Sequence, residues 1–106
     1  MNWLFLCSRN KLRSPTAEAV FADHPGIETD SAGLSADADV VLEADQVAWA
    51  DLILVMEPIH RKRLQSRFGS MLANKRVVVL GIPDHYSYMD PKLVDRLQRE
   101  CRRYLP

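Results

Sequence analysis

The sequence predicts an α/β domain: an open four-stranded parallel sheet with helices on both faces. Three observations carry that expectation. Apolar runs such as Trp3-Leu4-Phe5-Leu6 and Leu52-Ile53-Leu54-Val55-Met56 are continuous rather than alternating, as strands covered on both faces require. Segments of helical period with one apolar stripe stand between such runs. Strands that alternate with helices build a parallel sheet whose crossovers put helices on either side.

Taken in order, residues 2–6 form a buried strand that ends at a turn-like stretch. A helix from Pro15 to about Asp23 follows and is stopped by His24-Pro25-Gly26. Residues 27–31 make a second, shorter strand ending at Ser31. Ser35-Ala36-Asp37-Ala38-Asp39 reads as loop and 43–49 as a short helix. Residues 52–56 are the third strand. The segment 58–72 carries Ile59, Leu64, Phe68, Met71 and Leu72 between charges, an amphipathic helix. Residues 76–80 are the fourth strand and 81–89 a loop. Asp90-Pro91 has the form of an N-cap followed by Pro at the first helical position, opening a helix with Leu93, Val94, Leu97, Cys101 and Leu105 on its apolar stripe.

A chain of 106 residues makes one domain, 1–106, with room for one site. Lys plus Arg and Asp plus Glu both number 14, so the formal net charge is zero and composition gives no support for a nucleic-acid or membrane partner. The basic groups Arg61-Lys62-Arg63 and Arg99, Arg102, Arg103 alternate with apolar positions and are balanced by acids, which fits solvated helix faces. The apolar run after Asn2 is too short for a signal peptide or membrane span, so a cytoplasmic location is expected. Cys7 and Cys101 sit in unlike contexts, and no disulfide is expected. His24, His60 and His85 have no metal-ligand spacing, so neither a metal nor a cofactor is expected.

The chemistry concentrates in Cys7-Ser8-Arg9-Asn10-Lys11-Leu12-Arg13-Ser14-Pro15. A strand that ends in a short loop opening a helix points several backbone N–H groups at one spot, beside the positive end of the helix dipole. A Cys opening such a loop shares those donors with any bound phosphate, which favours its nucleophilic thiolate. Arg13 adds a planar, permanently charged fork able to grip two phosphoryl oxygens. Ser14 can donate to the thiolate or help it leave. Ligands of open parallel sheets bind beyond the carboxyl ends of the strands, where Cys7–Ser14, Ser31, Glu57 and Asp84 all fall.

Cys, five residues, then Arg-Ser resembles the signature of cysteine-dependent phosphatases. Followed by Pro15-Thr16-Ala17-Glu18, and with Asp30-Ser31-Ala32-Gly33, Asp51-Leu52-Ile53-Leu54-Val55-Met56-Glu57 and Ile82-Pro83-Asp84-His85-Tyr86 in order, it resembles the low-molecular-weight protein tyrosine phosphatases over most of the chain. The resemblance implies a flavodoxin-like sheet and a phosphomonoester hydrolase acting through a cysteinyl-phosphate. It assigns Cys7 as nucleophile, Arg13 and Ser14 as catalytic partners, and Ser8, Arg9, Asn10, Lys11 and Leu12 as the phosphate cradle. Asn10 and Ser31 would hold the loop rigid from behind.

Protonating the leaving oxygen needs an acid. Asp90 is explained as an N-cap, whereas Asp84 has no structural duty and matches the family's acid; Tyr86, and less surely Tyr88, would wall the pocket for an aromatic leaving group. The implied ligands are a phosphotyrosine protein or small aryl phosphate, with inorganic phosphate or sulfate as anion ligand, and the implied state is a monomer or weak homodimer. The chain departs from the family pattern at several points. Leu12 stands where many members carry a second cysteine, Arg9 where a small residue is usual, His85 for a proline and Glu57 for an aspartate. Asp51 follows Gly33 by only eighteen positions, so the excursion that usually forms one pocket wall is short, and the histidine it normally contributes to the network behind the loop is absent. Two alternatives stay open: a phosphate- or phosphopeptide-binding module with little turnover, and an arsenate reductase-like enzyme, for which Cys101 is the only other thiol.

Overall fold

The computed structural model describes residues 1–106. Its strands are β1 (Asn2–Cys7), β2 (Glu28–Gly33), β3 (Leu52–Val55) and β4 (Arg76–Val79), all parallel in the order β2-β1-β3-β4. Its helices are α1 (Arg13–Phe21), α2 (Ala44–Trp49), α3 (Pro58–Phe68) and α4 (Pro91–Cys101), with single 3₁₀ turns after α3 and α4.

β1 is central, and Trp3, Leu4, Phe5 and Leu6 are all fully buried because both faces of the sheet are covered. Strand alternation divides the core. Trp3, Phe5, Cys7, Leu52 and Leu54 pack against Ala17 and Phe21 of α1 and Leu93, Leu97 and Cys101 of α4. Leu4, Leu6, Ile53 and Val55 face Val47 of α2 and Leu64 of α3. Trp3 and Phe5 both meet the Phe21 ring, with centroids 5.6 and 5.9 Å away, so the strand that ends in Cys7 is anchored to the helix that begins at Arg13.

Local sequence accounts for most helix starts. At α4, Asp90 Oδ1 accepts the Lys92 N–H at 2.9 Å and Pro91 occupies the first helical position. At α2, the Gln46 side chain accepts the Glu43 N–H at 3.1 Å. At α3, the His60 ring accepts the Glu57 N–H at 3.0 Å. α1 is the exception: Leu12 at its N-cap offers no side-chain cap. No helix is long and apolar enough to cross a membrane.

Several boundaries differ from the sequence expectation. α1 begins at Arg13, two residues before Pro15, because the loop turns directly into the helix and carries Arg13 and Ser14 on its first turn. β2 runs on to Gly33, past Ser31, since Gly33 pairs with Cys7 in register. α3 ends at Phe68, and Gly69–Met71 form a separate 3₁₀ turn. Ile59, placed on the apolar stripe of α3, is exposed, and the neighbouring His60 is fully buried.

Candidate active site

Cys7 is the last residue of β1, and the loop after it curls over the carboxyl end of the sheet. None of the backbone N–H groups from Ser8 to Leu12 donates to a protein acceptor, although the loop's carbonyls are used by its neighbours. Asn10 makes the curl possible with φ of 56°, a left-handed conformation that Asn tolerates better than most residues. The result is a set of free donors at the uncapped start of α1, which is the form of an anion cradle.

Behind the loop the polar side chains make one continuous chain of hydrogen bonds. Asn10 Nδ2 donates to Ser14 Oγ and to Ser31 Oγ, both at 3.0 Å, using both of its protons. Ser14 therefore keeps its own proton for Cys7 Sγ, 2.9 Å away, an arrangement that suits the sulfur as acceptor. The Ser31 hydroxyl in turn donates to the Glu18 carboxylate. Asn10, Ser14 and Ser31 are buried, so each bond is worth more than it would be in water. Glu18, unassigned by sequence reasoning, closes the network from α1, and no histidine takes part in it.

Arg13 is buried on the first turn of α1, 3% exposed. Its Nη1 donates to Glu57 Oε2 at 2.6 Å and to the Ile82 carbonyl at 2.9 Å, while Nε stands 3.6 Å from Asp84 Oδ1. A buried guanidinium needs such partners. The hydrogen bond from Arg13 holds the Glu57 carboxyl below its ordinary range, against the opposing effect of burial. Glu57 is thus the counter-charge that fixes Arg13, a role hidden in the sequence because the two residues lie far apart along the chain. The available signal was its N-cap position just past the β3 carboxyl end.

One cavity of about 230 Å³ is lined by Cys7, Ser8, Arg9, Lys11, Leu12, Arg13 and Asp84. The candidate nucleophile Cys7, the Arg13 guanidinium and the candidate acid Asp84 therefore face the same space. Asp84 is in the loop after β4, and its side chain is 62% exposed, free to meet a ligand. That loop is moored to the cradle: Thr16 Oγ1 donates to the Leu12 carbonyl at 2.6 Å and accepts the Met89 N–H at 3.0 Å.

Two sequence assignments need correction. The Asn10 side chain does not line the cavity; it turns inward to Ser14 and Ser31 and braces the cradle, while the Asn10 N–H stays among the free loop donors. Tyr86 does not wall it either. Its ring is drawn against the apolar layer between the sheet and α4, lies tilted at 41° to the His85 ring with centroids 4.9 Å apart, and lines a separate groove beside Lys92 and Arg96 of α4. Tyr88 is exposed.

The short 34–50 segment braces the outer side of the loop. Leu34 and Ser35 N–H groups donate to the Cys7 and Ser8 carbonyls, and the Asp39 N–H to that of Arg9, at 2.8 to 3.1 Å. Arg9 pairs with Asp37 at 3.0 Å and Lys11 with Asp39 at 2.7 Å, exposed pairs of modest energy that nonetheless orient two cavity cations. Gly33 permits the close approach, since a Cβ there would lie 2.5 Å from Ala38 Cβ and 2.6 Å from the Ser8 carbonyl oxygen. Gly33→Ala is expected to cost roughly 1–3 kcal/mol by overpacking and to weaken phosphate binding, checked by urea denaturation and calorimetric titration. An unchanged phosphate affinity would show that the brace does not set the loop.

His60 stands behind the cavity on the first turn of α3, with Nε2 3.0 Å from Ser8 Oγ. Burial first, and then the Arg13 charge, push its ring down from 6.5 to about 4, with Glu57 and Asp84 opposing and Arg63 adding to the shift. It is therefore neutral at pH 7, and its 3.9 Å approach to Glu57 is not an ion pair. The unfolded chain takes up this proton near pH 6.5 while the folded chain resists until about 4, so stability falls as pH drops through that window. Glu57 adds to the same fall. Unfolding free energies from urea denaturation at pH 7 and pH 4.5 should differ by on the order of 2 kcal/mol, and His60→Gln should remove much of the difference. Sequence reasoning missed His60 because a histidine beside Arg61-Lys62-Arg63 reads as solvated; the signal was its place three residues after the Glu57 N-cap.

Cys7 and Cys101 are both free. Cys101 lies fully buried in the core under α4, where burial pushes its thiol up to about 12, and Cys7 is the one thiol lining the cavity.

No protein-family model matches the sequence, and no curated protein matches it. Solved structures do match in three dimensions. YwlE arginine phosphatase from Geobacillus stearothermophilus superposes with a TM-score of 0.79 at 22% identity, covering 97% of this chain and 89% of its own. Vibrio vulnificus Wzb in complex with benzylphosphonate gives 0.77 at 23% identity, covering 97% and 95%. SP-PTP, a low molecular weight protein tyrosine phosphatase from Streptococcus pyogenes, gives 0.79 at 15% identity, covering 98% and 90%. These agreements run the whole length of the sheet and its helices, and the chain has the flavodoxin-like fold of the low-molecular-weight protein tyrosine phosphatases.

Proposed function

We propose that the protein is a cysteine-dependent phosphomonoester hydrolase. The observation that carries this reading is the convergence of Cys7, Arg13 and Asp84 on one cavity roofed by unpartnered loop N–H groups. Binding alone needs neither a nucleophile nor an acid, which argues against a module without turnover. The single thiol at the cavity argues against an arsenate reductase-like chemistry that resolves through a second one.

In the first step the Cys7 sulfur attacks phosphorus, the bond to the ester oxygen breaks, and Asp84 gives that oxygen its proton. Arg13 and the loop N–H groups hold the equatorial oxygens as charge spreads over them. In the second step Asp84, now a carboxylate, takes a proton from water as the water oxygen attacks phosphorus and the P–S bond breaks, returning the thiolate. Ser14 donates to the departing sulfur. A free thiolate nucleophile suits a reducing compartment such as the cytoplasm.

The substrate class we favour is an aryl phosphate such as phosphotyrosine, in line with solved neighbours named as tyrosine phosphatases. A second reading, a phosphoguanidine such as phosphoarginine, is favoured by one observation: no aromatic side chain lines the cavity. A neighbour of the same fold is named an arginine phosphatase. Acid quench during turnover of radiolabelled aryl phosphate should leave label on Cys7, and kcat/KM for phosphotyrosine and phosphoarginine peptides decides between the two classes. Turnover without label on Cys7, under conditions where hydrolysis of the intermediate is limiting, would exclude the covalent route.

A further inference from the structure

The first turn of α3 holds two groups that reach the cavity through other residues. Glu57 fixes Arg13, as described. His60 does the corresponding work for Ser8. A backbone N–H can only donate, so His60 Nδ1, 3.0 Å from the Glu57 nitrogen, is the unprotonated ring nitrogen. The ring proton is therefore on Nε2 and donates to Ser8 Oγ at 3.0 Å. Ser8 Oγ makes no other hydrogen bond within the protein, and Ser8 lines the cavity beside Cys7 and Arg13. The hydroxyl accepts from behind and retains its own proton for what lies in front.

We infer that His60 is a positioning residue: its Nε2–H holds the Ser8 hydroxyl so that the hydroxyl proton points into the cavity as a fixed donor to a phosphoryl oxygen. The inference rests on the proposed phosphatase site and deepens it. The ring is fully buried and its neutral form leaves Nδ1 free to cap α3, so the tautomer that orients Ser8 is the one the helix start demands. A positively charged ring would place an N–H against the Glu57 N–H and lose the contact that caps α3.

Calorimetric titration with inorganic phosphate at pH 7 under reducing conditions tests this without requiring turnover. Ser8→Ala is expected to weaken phosphate binding about ten-fold, the loss of one hydrogen bond to a charged group. His60→Leu should weaken it as much in the wild-type background and hardly at all in the Ser8→Ala background, because it acts through that hydroxyl. His60→Gln, whose amide reaches the place of Nε2, should bind within about three-fold of wild type. Should His60→Leu not fold, His60→Asn, too short to reach Ser8, carries the same pair of expectations. Equal weakening by His60→Leu or His60→Asn in both backgrounds, or no weakening by Ser8→Ala, overturns the inference. Phosphate binding by the wild type that is lost in Arg13→Ala but unmoved by Ser8 and His60 substitutions overturns this inference alone. A wild type that binds no phosphate overturns the proposed function together with it.

Discussion

Cys7→Ser protein is expected to hydrolyse p-nitrophenyl phosphate at least about 10⁴-fold more slowly than the wild type at neutral pH, while still binding inorganic phosphate. The argument is chemical. The serine hydroxyl is not ionised at pH 7, and no side chain that could deprotonate it is bonded to Cys7, whose one side-chain hydrogen-bond partner is Ser14 Oγ at 2.9 Å. An alkoxide is also a poorer leaving group than a thiolate in the second step. The cradle itself does not depend on the sulfur, because the Asn10–Ser14–Ser31–Glu18 network and the ladder of Leu34 and Ser35 onto the loop stay in place. Steady-state assays with dithiothreitol present, set beside calorimetric titration, separate the two effects. Activity within ten-fold of wild type would remove Cys7 from the mechanism, since no other step depends so wholly on one atom.

Asp84→Asn should slow hydrolysis by roughly 10²–10³-fold, with the loss larger for phenyl phosphate than for p-nitrophenyl phosphate. The difference follows from leaving-group chemistry: p-nitrophenolate departs with little help, whereas phenolate needs the proton. Asp84 is exposed at the cavity and 3.6 Å from Arg13 Nε, so the asparagine loses the proton without refilling the space. Asp90→Asn is the control. Asp90 caps α4 through the Lys92 N–H, and asparagine caps as well as aspartate, so activity and stability should both stay near wild type. A uniform loss across leaving groups in Asp84→Asn would mean that Asp84 serves Arg13 electrostatically and is no proton donor.

The alternation of strands and helices was legible because it is written in local pattern. Continuous burial of Trp3 to Leu6, the Asp90-Pro91 start and the Glu43–Gln46 cap each depend on neighbours in sequence. The candidate phosphate loop was legible for the same reason, since Cys7 to Ser14 is one uninterrupted stretch. What escaped is what the third dimension supplies. Glu57 was placed beyond the carboxyl end of β3, but its pairing with Arg13, like the bonds of Glu18 to Ser31 and of His60 to Ser8, joins residues far apart in sequence. Ile59 and His60 exchanged their expected burial because the first turn of α3 faces a polar loop rather than the apolar sheet. Tyr86 failed as a pocket wall because an apolar ring finds better burial beside α4 than at a charged mouth.

The acid loop after β4 is held at two points. Near its start, the Ile82 N–H bonds the Met56 carbonyl and the Ile82 carbonyl bonds Arg13; at its end, the Met89 N–H bonds Thr16. Both pins belong to the scaffold that carries the nucleophile, so residues 83–88 hang like a bridge deck between two piers sunk in the same bedrock. The span has a fixed length: inserting or deleting a single residue in it would drag on the guanidinium at one abutment or tear free of the threonine at the other.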